Sequence, residues 1–300
     1  MSTVAYEIVD VFTDRPFAGN PLAVVFGAQA LAADQMQILA REFNLSETVF
    51  VLPPSAAAGD EATYRARIFT PETELPFAGH PSVGAAVTAV RRELARPGRV
   101  VQECGAGLLP IEVTPDGAAT LTGGSPTLDE PLAPGPLLAM LGLDGDDFAG
   151  RSPDGSDAAP RWAGCGLPFA FLPVRPEALG RAWADPGSAA RLGVGQISVF
   201  AWDGEQRVAH ARVFCPGVAV PEDPATGSAA LGLGVWLVAN GWLPGDGTSA
   251  YAVRQGIEMH RPSLLECTVT AAGGRATAAT VAGHVRAVAR GEIQVPPFIG

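Results

Sequence analysis

The chain has 300 residues, 47% of them hydrophobic and 17% charged, enough to bury two cores of ordinary size. Its formal charge of −11, from 20 basic and 31 acidic residues without a basic cluster, argues against nucleic acid and an anionic membrane surface as partners. No apolar run is long enough to span a bilayer, no signal peptide is visible, and Cys104, Cys165, Cys215 and Cys267 form no close pair. A cytoplasmic protein with reduced thiols is expected.

Residues 4–12 alternate as a strand, and a turn over 13–21 leads to a second strand, Leu22 to Phe26. Met36, Leu39, Ala40 and Phe43 recur at spacings of three and four, which predicts an amphipathic helix from Ala33 to Phe43. A strand from Ser46 to Leu52 opens with a carboxylate, and Tyr64 to Phe69 alternates again. A helix is expected from about Pro81 to Leu94, with proline at its first position. Val100–Glu103 and Leu108–Val113 read as a hairpin, followed by a short strand near Ala119–Leu121. Residues 123–136 read as a linker and residues 150–160 as a polar loop.

The second half restarts with a strand at Phe169–Pro173 and a short helix near Pro176–Trp183. Strands Gln196–Ala201 and Val208–Cys215 precede a helix, Ser228 to Asn240, that is apolar almost all round and therefore internal. Ala252–Gln255, Leu264–Thr270 and Thr280–Ile293, the last broken near Gly283, close the chain as strands. The expected class is α+β, with an N-terminal half over residues 1–122, completed by a strand at about 286–300, and a C-terminal half over 123–285.

One phrase occurs twice. TPETELPFAGHPSVG (70–84) and PEDPATGSAA (221–230) are both polar Pro/Gly turns that follow a strand and enter a small-residue helix. Such a helix start leaves its first N–H groups unpaired and makes an anion receptor, so two halves facing each other across a cleft are expected. Glu47, at the mouth of the apolar strand TVFVL, has the setting for a raised pKa and a general-base role, although an exposed strand-end glutamate fits the spacing too. His80, in Gly79-His80-Pro81, sits where a helix N-terminus disfavours imidazolium and suits a neutral donor or relay; a simple capping residue is the other reading. Asp223 is either an ordinary turn residue or a site carboxylate, and the Gly227 and Ser228 amides are placed to take a substrate carboxylate. The four histidines show no metal-ligand spacing, and no nucleotide loop or serine-esterase motif is present, so neither metal nor cofactor is expected.

DVFTDRPFAGNPLAVV (10–25), NLSETVFV (44–51), RIFTPETELPFAGHPSVGAA (67–86), PEDPATGSA (221–229) and QG…RPS (255–263) together resemble the phenazine-biosynthesis PhzF-like isomerase family. The resemblance covers nearly the whole chain. It implies the diaminopimelate epimerase-like fold, two similar halves each a barrel-like mixed sheet around a central helix, and a homodimer. It also implies that Glu47 is the acid/base, with His80, Asp223 and Ser228 lining the opposite side of the pocket. Gly79, Pro81, Ser82, Gly227 and Asn20 complete the expected substrate-binding set. The activity implied is proton transfer on a small carboxylated metabolite, as in isomerising trans-2,3-dihydro-3-hydroxyanthranilate. Where related epimerases carry two catalytic cysteines, this chain has Ala78-Gly79 and Asp223, which removes two-thiol racemisation. His260 and His284 stand where family members often have glycine. An amino-acid-derivative epimerase, or a catalytically silent binding module, are the alternatives.

Overall fold

The computed structural model describes residues 2–152, 155, 157–217 and 220–298. The chain forms two compact units, Met1–Leu121 with Ala282–Gly300, and Thr122–Val281.

In the first unit, β1 (Thr3–Val11) and β2 (Asn20–Phe26) form an antiparallel hairpin. The helix α1 (Ala33–Phe43) then returns the chain so that β3 (Thr48–Leu52) lies parallel to β2. β4 (Tyr64–Phe69) is antiparallel to β3, and a short β5 (Glu74–Leu75) folds back on β4. The helix α2 (Gly79–Arg91) follows, and β6 (Gly98–Cys104) lies parallel to β4. β7 (Gly107–Val113) and β8 (Ala118–Thr122) continue antiparallel. The chain's last strand, Arg275–Gln294, pairs with both β1 and β8 and closes an eight-stranded barrel.

Burial explains why these segments read as they do. Every residue of α2 from Gly79 to Ala89 is buried, while α1 packs Met36, Leu39 and Ala40 against Val25, Phe50 and Phe69. The strands β2 and β3 are covered on both faces, so VVF and TVFVL are continuously apolar rather than alternating. α2 begins two residues before the position expected from sequence, which makes Pro81 its third residue. Proline is harmless there, because no N–H of the first three helical residues has an intrahelical acceptor.

The second unit has β9 (Pro126–Pro131), α3 (Pro134–Met140) and β10 (Arg161–Cys165), with β10 antiparallel to β9. This corrects the linker expected over 123–136: six of those residues form a strand and a helix opens at Pro134. The prolines that suggested a linker bound the strand at its two ends, where a missing donor costs least. The polar loop expected over 150–160 falls in part, at 153, 154 and 156, outside the described residues. β11 (Pro168–Pro173) is antiparallel to β10, and the short helices α4 (Pro176–Leu179) and α5 (Pro186–Leu192) precede β12 (Ile197–Asp203), which runs parallel to β11. α3, α4 and α5 cover one sheet face through Leu138, Met140, Leu179 and Ala189, packed with Leu172, Val199 and Phe214. β13 (Val208–Cys215) is antiparallel to β12, and the short β14 (Val220–Asp223) folds back on it. The helix α6 (Gly227–Ala239), β15 (Gly247–Gln255) parallel to β13, antiparallel β16 (Ser263–Ala272) and β17 (Arg275–Gln294) complete the unit.

The two units therefore repeat one succession of pairings. Antiparallel, parallel, antiparallel, parallel and antiparallel contacts join β1 through β7, and the same series joins β10 through β16. The fold is α+β.

Two glycine expectations resolve differently. β17 is continuous through Gly283, where a Cβ would lie 2.5 Å from the Phe12 ring, so this glycine marks close packing rather than a break. His260 has φ +57°, the left-handed region that glycine favours, whereas His284 sits within β17. His260→Gly is expected to raise stability by about 0.5–1 kcal/mol. A later thermal unfolding midpoint checks this; an unchanged or earlier one would mean that the imidazole's own contacts outweigh the strain.

Candidate active site

In the first unit the connection from α1 to β3 delivers Ser46 and Glu47 to the start of a strand whose first residue, Thr48, pairs with Ala23 and Phe69. The Glu47 side chain is only 17% exposed, and its Oε2 is shielded from solvent with no hydrogen-bond partner. Burial pushes the Glu47 pKa up to about 7, against the lowering effect of the Ser46 hydroxyl. That value divides the group between its acid and base forms at neutrality.

His80, the second residue of α2, is buried, with Nδ1 3.7 Å from Glu47 Oε2 and 3.4 Å from the Asn20 amide nitrogen. Asn20 is fully buried at the start of β2, and its Oδ1 accepts from the Ser46 hydroxyl at 3.4 Å. Glu47, His80 and Asn20 thus form one cluster. Gly79 and Pro81 are buried in the first turn of α2. Ser82, expected to face substrate, is fully buried; its hydroxyl donates to the Ala78 carbonyl at 2.8 Å and accepts from Gln102 Nε2 at 2.8 Å. It shapes the turn. Gln102 in turn accepts from the Tyr64 hydroxyl at 2.9 Å.

In the second unit, Asp223 ends β14, Thr226 is the N-cap of α6, and Gly227 and Ser228 are the helix's first two residues. Gly227 and Ser228 occupy the helical positions that Gly79 and His80 hold in α2. The Asp223–Thr226 turn is strapped from β15 and β16. Gln255 Nε2 donates to the Asp223 carbonyl at 2.7 Å, and the Ser263 hydroxyl lies 2.9 Å from the Pro224 carbonyl. Gly256 has φ +73°, and a Cβ there would lie 2.6 Å from the Pro224 oxygen. The fragment QG…RPS is thus the clamp on the repeated phrase. Gln102 and Gln255 lie on matching strands, β6 laid parallel to β4 and β15 laid parallel to β13. Sequence reasoning missed both glutamines, as well as Tyr64 and Thr226.

The cysteines lie elsewhere. Cys165, Cys215 and Cys267 are buried, and Cys104 partly so. Burial lifts the Cys165 thiol to about 11 and the Cys267 thiol higher still, so neither is a thiolate at neutral pH. Among the described residues no group of three His, Cys, Asp or Glu side chains is placed to hold a metal ion. Among the described residues no helix is long and apolar enough to cross a membrane.

Two units of one strand, turn and helix plan, each with a carboxylate beside a helix start, define an α+β protein of the diaminopimelate epimerase-like class. The family model described as phenazine biosynthesis-like protein (PhzC-PhzF) matches residues 9–291. The chain belongs to this family, and it is an isomerase. It is 37% identical to an uncharacterised isomerase of Mesorhizobium japonicum, over 98% of this chain and 99% of that protein. It is 35% identical to a trans-2,3-dihydro-3-hydroxyanthranilate isomerase of Pseudomonas aeruginosa, over 95% of this chain and 98% of that one. Among solved structures, a PhzF-family protein of Bacillus anthracis matches with TM-score 0.85 at 24% identity, covering 98% of this chain and all (100%) of its own. A protein of Agrobacterium radiobacter described as a probable proline racemase shares the fold, with TM-score 0.66 at 13% identity over 99% of this chain and 94% of its own.

Proposed function

We propose that the protein moves a proton between carbons of a small carboxylated metabolite, as a trans-2,3-dihydro-3-hydroxyanthranilate isomerase does, with Glu47 as both acid and base and without a cofactor. The observation that carries this reading is Glu47 itself, a shielded carboxyl group raised to about 7. A group poised there takes a proton from an activated carbon and returns it without a large energetic cost in either direction. His80 and Asn20 are assigned to substrate polar groups or to the orientation of Glu47, and Asp223 to a polar substrate group. The Gly227 and Ser228 amides are assigned to a carboxylate, since the first N–H groups of a helix lack intrahelical acceptors and carry its positive pole.

Turnover of trans-2,3-dihydro-3-hydroxyanthranilate in heavy water tests the reading. An isomerised product with less than full deuterium at the new C–H position supports one carboxyl group carrying the same proton. Fully deuterated, stereochemically inverted starting material would instead indicate an epimerase. Because proton removal needs ionised Glu47, kcat/KM is expected to fall about tenfold per pH unit below a midpoint near 7. A profile flat between about pH 5 and about pH 8 would remove Glu47 from the base role.

A further inference from the structure

The hydrogen bonds that link Gln255, Thr226 and Asp223 run in one direction. Gln255, 1% exposed at the end of β15, has one amide terminus 2.7 Å from the Asp223 carbonyl, which must therefore be the NH2 group. Its other terminus lies 3.2 Å from the Thr226 backbone N–H and must be the oxygen. The same NH2 group lies 2.9 Å from Thr226 Oγ1, so that oxygen accepts. Thr226 has a single hydroxyl hydrogen, and the acceptor in its reach is Asp223 Oδ2, at 2.5 Å. With Gln255 donating to one lone pair of Thr226 Oγ1, the hydroxyl hydrogen turns to Asp223 Oδ2, and such charge-assisted O–H···O⁻ bonds are the short ones.

We infer that Gln255 and Thr226 are positioning residues that favour Asp223 as an ionised hydrogen-bond acceptor, which suits it to a substrate hydroxyl or ammonium group. The backbone is held by the same set, because Gln255 grips the Asp223 carbonyl and Thr226 N–H together while the Ser263 hydroxyl lies 2.9 Å from both the Pro224 and the Arg261 carbonyls. The inference rests on the reading of Asp223 as a residue that meets the substrate. One arm of its test therefore needs no substrate.

Thr226→Val keeps the side chain's shape and removes the hydroxyl; Thr226→Ser keeps the hydroxyl. In the substrate-free protein, the Asp223 carboxyl carbon is followed by NMR titration, its signal assigned by its loss in Asp223→Asn. The titration midpoint is expected to move up in Thr226→Val and to stay in place in Thr226→Ser, since a lost donor disfavours the charged form. Gln255→Met, which removes the donor that orients Thr226, is expected to move it in the same direction and serves if Thr226→Val does not fold. In turnover, Thr226→Val is expected to lose about 10- to 100-fold in kcat while Thr226→Ser stays within about threefold. An Asp223 midpoint unmoved in the folded variants overturns the inference. A moved midpoint with unchanged turnover upholds the hydrogen-bond assignment and takes Asp223 out of the proposed reaction.

Discussion

Glu47→Gln is expected to lower kcat by about a thousandfold or more and, in the same protein, to raise stability at alkaline pH. The amide keeps the shape of the carboxyl group and its contact with the shielded space beside His80, but has no proton to exchange. General acid–base catalysis by a placed side chain contributes about 10²- to 10⁴-fold, and here one group serves both directions of transfer. The stability effect follows from the same burial. The Glu47 pKa rises from the ordinary value of 4.5 to about 7 in the folded chain, so the folded state holds the proton more tightly than the unfolded one. Its favourable contribution is full below about 4.5 and is lost as pH rises through about 7, because an ionised carboxylate must then be kept out of water. At 1.36 kcal/mol per pKa unit the penalty above pH 7 is about 3 kcal/mol, which glutamine escapes. Denaturant unfolding at about pH 5 and about pH 8 is the check: the variant's advantage should appear only at the higher pH. Undiminished turnover would remove Glu47 as the base. Equal stability of the two proteins at both pH values would mean that the carboxyl group is solvated.

The part of this site legible in the sequence is the part encoded locally. Met36, Leu39 and Ala40 at helical spacing marked α1 to its observed ends, and TVFVL after Glu47 announced an apolar setting for that carboxylate. The repeated Pro/Gly turn placed His80 and Ser228 at matching helix starts. Long-range register was not legible. Gln102 reaches Ser82 because β6 lies parallel to β4, with Gln102 opposite Tyr64, and Gln255 reaches Thr226 because β15 lies parallel to β13. Neither glutamine belongs to a pattern of period two or 3.6 that would single it out. Ser82 looked ligand-facing for the same reason; only its partners show that the hydroxyl is consumed inside the fold. β10 and α5 were passed over because RWAGC has little apolar alternation and α5 spans only seven residues. For α5 a start signal was nonetheless present, since Asp185 accepts from Ser188 N at 2.7 Å with proline at the first helical position.

Trp236→Ala is expected to be the most destabilising single change in the Thr122–Val281 unit, at about 3–5 kcal/mol. Trp236 is fully buried in the last turn of α6, the helix that carries Gly227 and Ser228 at its start. Its ring meets Phe200 and Trp242 edge-on at centroid distances of 5.1 and 5.0 Å, and its Nε1–H donates to the Ala159 carbonyl at 3.1 Å. Truncation removes the ring area, leaves a cavity that rigid strand and helix neighbours cannot close, and takes the donor from a half-buried carbonyl. Against the roughly 5–15 kcal/mol that separates folded from unfolded domains, this is a large share. Trp236→Phe separates the contributions: it retains most of the packing and loses the N–H donor, for an expected cost of about 1–2 kcal/mol. The denaturant midpoint at unchanged slope reports both values. If alanine cost less than about 1 kcal/mol, the ring cluster would not be the packing centre around α6, and the position of the Gly227–Ser228 turn would have to be explained by the Gln255 and Ser263 straps alone.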